Sequence, residues 1–98
     1  MAKIQLIGPL EEQVGIKEIE IEGETVKDVL EKFINDYKQK LEKFIDPKTG
    51  FFNRYLMILV NRQNYIFLKD KLDTYLKSDD EIILALPIGG GSTRNLIF

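Results

Sequence analysis

The chain has 98 residues with no Cys, no His and no Trp, and its 16 acidic against 14 basic side chains leave a net charge of −2. Disulfides, thiolate nucleophiles, Cys/His zinc sites and Ser-His-Asp or Cys-His catalysis are thereby excluded, and no basic surplus invites a nucleic-acid backbone. The longest apolar runs, Tyr55–Val60 and Ile82–Ile88, fall short of the ~20 residues that span a bilayer, and no signal peptide opens the chain, so a cytoplasmic protein with no nucleic-acid or membrane partner is expected.

Lys3-Ile4-Gln5-Leu6-Ile7 alternates polar and apolar side chains, as a half-buried strand does. Gly8-Pro9 then reads as a breaker. A second alternation follows, with Ile19 and Ile21 facing inward and Glu18, Glu20 and Glu22 facing water. Two short antiparallel strands joined by about eight residues are predicted.

Thr25 opens a helix, its hydroxyl placed to accept a first-turn N–H, with Asp28 three residues on in the manner of a capping box. Val26, Val29, Leu30, Phe33, Ile34, Tyr37, Leu41, Phe44 and Ile45 recur at spacings of three and four. The stripe predicts one amphipathic helix from Val26 to about Phe44, a rod of roughly 28 Å. Asp46-Pro47-Lys48-Thr49-Gly50 ends it.

Tyr55–Val60 is almost continuously apolar and reads as a central strand buried on both faces. Asn61-Arg62-Gln63-Asn64 is a polar turn, Tyr65-Ile66-Phe67 a short strand beyond it, and Asp70–Lys77 a mixed connection. The last strand, Glu81–Pro87, stops at a proline that cannot extend a ladder. Phe33, Phe44 and Phe67 are expected in the core, Tyr37, Tyr65 and Tyr75 at its edge, and Phe51-Phe52 as a lid over the helix's end. The order β-β-α-β-β-β predicts an α+β domain, a mixed sheet of about five strands covered by one main helix. The first and last strands are expected to form its central pair. The domain is placed at residues 1–88, and a glycine-rich tail at 89–98.

Two features bear on chemistry. Gly89-Gly90-Gly91 leaves the end of the last strand. Three adjacent glycines suit an arm that must move, or enter a channel too narrow for a Cβ. They lack the Lys and the following helix of a phosphate-binding loop. The second feature is Asp79-Asp80-Glu81, which reads as a solvated corner that could steer the domain toward a basic partner. Carboxylates doing acid–base work need a cleft that separates their pKa values, and nothing in the sequence signals one.

In these residues the chain resembles the MoaD/ThiS group of ubiquitin-like sulfur carriers, whose fold is the β-grasp. The resemblance rests on Leu59-Val60-Asn61, on Leu76-Lys77-Ser78-Asp79-Asp80-Glu81-Ile82, and above all on Leu86-Pro87-Ile88-Gly89-Gly90-Gly91. It covers roughly residues 3 to 91. It implies a substrate-like protein with no catalytic site and no bound cofactor of its own. A ubiquitin-activating-type enzyme would use ATP to adenylate the carboxylate of Gly91, second of the Gly90-Gly91 pair. Sulfur would then replace AMP. Pro87, Ile88 and Gly89 would support the arm, and Asp79, Asp80 and Glu81 would contribute to partner docking. In the MoaD branch the arm enters a MoaE-like large subunit, and the pair acts as molybdopterin synthase. Carriers of this group end at the second glycine, whereas Ser92–Phe98 follows here, which implies a processing protease. Two other roles fit the same residues: a protein modifier joined through Gly91 to lysines, and a non-enzymatic interaction module with an uncleaved tail.

Overall fold

The computed structural model describes residues 2–86. Its main sheet has five strands: β1 (Ala2–Ile7), β2 (Glu18–Ile21), β5 (Met57–Val60), β6 (Gln63–Asn64) and β7 (Glu81–Ala85), in the order β2-β1-β7-β5-β6. A two-stranded hairpin, β3 (Ile45–Asp46) and β4 (Phe51–Phe52), stands apart from it. The first and last strands form the centre as expected, parallel and in register from Lys3↔Glu81 to Ile7↔Ala85. The remaining pairings are antiparallel. With α2 (Val26–Asp36) laid on one face, this is the β-grasp arrangement. The Tyr55–Val60 run yields a shorter strand, β5, which lies beside the centre and leaves the central place to β1 and β7.

The period-two pattern assigns the two faces. Ile4 and Leu6, Ile82 and Leu84, and Ile58 and Val60 join Val26, Val29, Leu30, Phe33 and Ile34 of α2 in one buried cluster. Each fully buried aliphatic or Phe side chain there contributes about 1.5–3 kcal/mol relative to exposure. Alternate residues on the same strands point the other way. Thr25 caps α2 as predicted, its Oγ1 accepting from Asp28 N at 3.1 Å. Asp28 Oδ2 accepts in return from Glu24 N at 3.3 Å, one residue earlier than in the usual box.

Four expectations are corrected. A short helix, α1 (Pro9–Val14), fills the predicted loop between β1 and β2. Pro9 starts it rather than breaking it, because a first-turn residue needs no N–H. Leu10 and Val14, four apart, are buried, and Gly15 at φ 87° closes it, its N–H donating to Glu11 O at 2.8 Å.

The long helix is interrupted. α2 stops at Asp36, α3 (Lys38–Leu41) restarts after Tyr37, and Glu42–Phe44 forms a 3-10 turn. The strands of the main sheet are at most six residues long, at most about 20 Å, so a 28 Å rod would overshoot the sheet. Beyond the break Leu41 and Phe44 are both buried, as members of the core cluster.

The third correction is Tyr65–Phe67, a 3-10 turn rather than a strand, capped by Asn64 Oδ1 accepting from Ile66 N at 3.1 Å. It turns Phe67 out of the core, 72% exposed. Last, Tyr75 is 73% exposed instead of lying at the core edge. Phe52 is buried and paired with Ile45, with Phe51 packed against the core beside it.

Candidate functional site

The described residues end at Leu86, directly after the middle strand of the sheet. Pro87, Ile88, Gly89, Gly90 and Gly91 lie outside the described residues. Their root is described: Ala85 ends β7, flanked by Ile7 of β1 and Met57 of β5, and Leu86 packs against the core. A strand bonded on both sides cannot swing, so the start of the arm is held by two ladders.

The three acids at the other end of β7 have different surroundings. The carboxylate of Asp80 is engaged on both oxygens: Oδ2 accepts from Lys77 N at 2.7 Å and Oδ1 from Asn61 Nδ2 at 3.0 Å. Its carbonyl accepts from Lys3 N at 3.2 Å. The backbone N–H of Lys77 holds the Asp80 carboxyl below its ordinary range, desolvation opposes it, and the Asn61 amide and the Lys77 charge add to the lowering. Asn61 also pairs with Glu81, accepting from Glu81 N on Oδ1 at 3.0 Å and donating its own N–H to Glu81 O at 2.8 Å. Asp80 thus closes a turn onto the β5–β6 turn, while Asp79 is exposed and Glu81 half-buried.

Asp79, Asp80 and Glu81 share a shallow depression of about 260 Å³ with Ser78, Lys3 and Glu20. Glu20 comes from β2, opposite Lys3 in register, and sequence reading did not connect it to the corner. Lys3 Nζ also lies 3.8 Å from Glu18 Oε2 at the surface, a pair worth little in water. The depression gathers carboxylates without burying them, which suits steering of a basic partner rather than proton transfer.

Register also defines the sheet face turned away from α2. Lys3, Gln5 and Ile7 share it with Glu18 and Glu20, with Glu81, Ile83 and Ala85, and with Met57 and Leu59. Along β7 this face runs from acidic at Glu81 to apolar at Ala85, a span of about 13 Å. Leu59, Ile83 and Ala85 are buried yet lie outside the helix-side cluster, and Ile7 is 37% exposed. The described residues therefore end, at Leu86, beside the apolar end of this face. The acidic corner sits at the opposite end of the same strand. A partner reaching both must lie across the whole sheet. The alternation of Ile83 and Ala85 with Ile82 and Leu84 was visible in the sequence, but not that only one set meets the helix.

Among the described residues there is no group of three or more potential metal-ligating side chains, and no helix is long and apolar enough to cross a membrane.

The comparisons with known proteins agree with this geometry. The family model described as "ThiS family" matches residues 4–91. The solution structure of small archaeal modifier protein 1 (SAMP1) from Methanosarcina acetivorans is 33% identical, with a TM-score of 0.76 over 92% of this chain and 95% of that one. A chain of the BexX/CysO complex of Amycolatopsis orientalis is similar in fold, at 17% identity and a TM-score of 0.72, covering 93% of this chain and 100% of that one. So is a protein assigned as molybdopterin converting factor, subunit 1, from Pyrococcus furiosus, at 19% identity and 0.64, covering 89% and 97%. No curated protein sequence matches the chain.

Proposed function

We propose that this chain, which belongs to the ThiS family of ubiquitin-like sulfur carriers and modifiers, is a MoaD-type carrier charged at Gly91 by a partner enzyme. The observation that carries the reading is where the family match stops. It ends at Gly91, the last glycine of the arm rooted between Ile7 and Met57, and seven residues follow it.

In this reading a protease hydrolyses the Gly91–Ser92 peptide bond and leaves a free carboxylate. A ubiquitin-activating-type enzyme joins that carboxylate to the α-phosphorus of ATP with loss of pyrophosphate. A sulfide-equivalent nucleophile then displaces AMP, so that C–S replaces C–O at Gly91. The chain's own contribution is positional. A fixed root and a Cβ-free arm deliver one carboxyl carbon into a narrow site, and the apolar sheet face around Ile7 and Met57 seats the partner. Asp79, Glu81 and Glu20 speed the encounter with a basic surface. A MoaE-like large subunit then receives the arm, and the sulfur goes to molybdopterin. The fold likeness to the Pyrococcus furiosus converting-factor subunit supports that destination, and a CysO crystallised with BexX supports a partnered mode of action.

A second reading, conjugation of Gly91 to lysines of other proteins, is favoured by the 33% identity to an archaeal modifier protein. Both need the same free end. The deciding experiment incubates the chain ending at Gly91 with its activating enzyme, ATP and a sulfide donor. Replacement of one oxygen by sulfur in the intact mass supports the carrier, and conjugates that survive denaturation support the modifier. Neither product, with no pyrophosphate-dependent exchange into ATP, overturns charging at Gly91 altogether.

A further inference from the structure

The break in the helix opens a surface that charging at Gly91 does not use. The last turns of α2, α3, the following 3-10 turn and the β3–β4 hairpin surround a cavity of about 670 Å³, within the size range of about 300–1,000 Å³ typical of binding pockets. Ile34 and Ile45 supply its apolar lining, and Glu31, Glu42 and Lys38 are its charged groups. Ile45 is only half-buried there, while Ile34 is 8% exposed.

We infer that this cavity is the docking site of the segment Arg94-Asn95-Leu96-Ile97-Phe98 of the same chain. Three observations select that occupant. The first is reach. Ile45 pairs with Phe52, only Asn53–Leu56 separate Phe52 from Met57, and Met57 pairs with Ala85. Those links put Ile45 within about 30 Å of Ala85. The ten residues between Ala85 and Leu96 extend to about 33–36 Å.

The second is composition. Three consecutive apolar side chains end a segment that follows small and polar residues, so they can leave water only by finding an apolar surface. The third is charge. Two acids and one base border the cavity, and the segment carries one base, Arg94, next to its apolar triplet. A second copy of the same segment could meet the same groups, but the tether favours the chain's own. A linker this short supplies an effective concentration on the order of millimolar.

The consequence is a contact that lasts only while the chain is whole. Docked at Leu96–Phe98 and rooted at Ala85, the glycine run bridges two fixed points and displays the Gly91–Ser92 bond between them. Cutting that bond removes the tether, and a contact of millimolar strength then dissolves and clears the cavity. This does not depend on whether Gly91 is later charged.

The test compares amide NMR spectra of the full chain and the chain ending at Gly91. Docking predicts differences concentrated at Ile34, Asn35, Lys38 and Gly50, absent from a full chain carrying Leu96→Ser and Phe98→Ser, and unchanged on dilution. Adding the free peptide Ser92–Phe98 to the shorter chain should restore them, half-maximally at about millimolar peptide. Differences confined to the end of β7, differences that survive the double substitution, or differences that fade on dilution would each overturn the inference, the last by assigning the contact to a second copy. A melting temperature of the doubly substituted chain equal to that of the chain ending at Gly91 separates lost docking from lost folding.

Discussion

Asn61 and Asp80, nineteen residues apart, are joined side chain to side chain, Asn61 Nδ2 donating to Asp80 Oδ1 at 3.0 Å. The same asparagine accepts from Glu81 N and donates its own N–H to Glu81 O. It also holds φ 50° in the tight turn between β5 and β6. One exposed side chain thus ties the entry of the last strand to the neighbouring hairpin. Asn61→Ala should cost about 1–2 kcal/mol in urea unfolding, combining lost hydrogen bonds with a left-handed conformation that Ala tolerates poorly. In a double-mutant cycle with Asp80→Ala, the two losses should fall short of adding by about 0.5–1.5 kcal/mol; full additivity would show that the pair is not coupled.

Asp80 should also mark the acid limb of stability. Its carboxyl is held below the ordinary value of 3.8 by the Lys77 N–H first, then by Asn61 and the Lys77 charge. The unfolded chain takes up that proton at higher pH than the folded one. The stabilisation is therefore complete above pH ~4 and is lost as pH falls through the lower folded value. Asp80→Asn should flatten this part of a stability-against-pH curve, and a curve of unchanged shape would show that these partners do not hold the carboxyl down.

Arg62 sits beside Asn61 at φ 71°. Two successive positive φ angles make the turn type that favours Asn-Gly, and an arginine there carries a steric cost. Arg62→Gly should raise the unfolding free energy by about 0.5–1 kcal/mol. A loss of stability would mean that the arginine side chain makes a compensating contact.

Gly23, at the approach to α2, has no room for a side chain. A Cβ there would lie 2.7 Å from Val29 Cγ2 and 3.2 Å from Val29 N. Val29 is fully buried, β-branched and part of the helix, so it cannot step aside cheaply. Gly23→Ala should destabilise by about 1–3 kcal/mol, read as a lower melting temperature.

The sheet face offers a test of partner seating that is separate from stability. Ile7 is 37% exposed beside the root of the arm. Ile7→Glu should leave the melting temperature within a few degrees and lower the rate of Gly91 activation at least tenfold, about 1.4 kcal/mol, with the chain ending at Gly91 as substrate. Asp79→Lys with Glu20→Lys should instead lower the association rate mainly at low salt. Equal activation by all three proteins would move the seat of the partner elsewhere.

Local chemistry alone determined much of this molecule. Thr25 and Asp28 announce the start of a helix, and the three-four spacing from Val26 to Ile34 names its buried face. The apolar first and last strands announce a central pair, because these signals lie in neighbouring residues and need no knowledge of the rest of the chain. Tertiary structure decided what depends on distance and on competition for space. The stripe continues past Asp36, but strands of at most six residues cannot support a longer rod, so the helix breaks and a cavity opens at the break. Phe67 is as apolar as Phe52, yet a 3-10 turn capped by Asn64 points it to water. Asp79 and Asp80 are alike in sequence, and only the fold brings Asn61 to one of them. Pairing across nineteen residues, and the choice of which strand face meets the helix, are settled by how the sheet closes, and no local pattern carries that information.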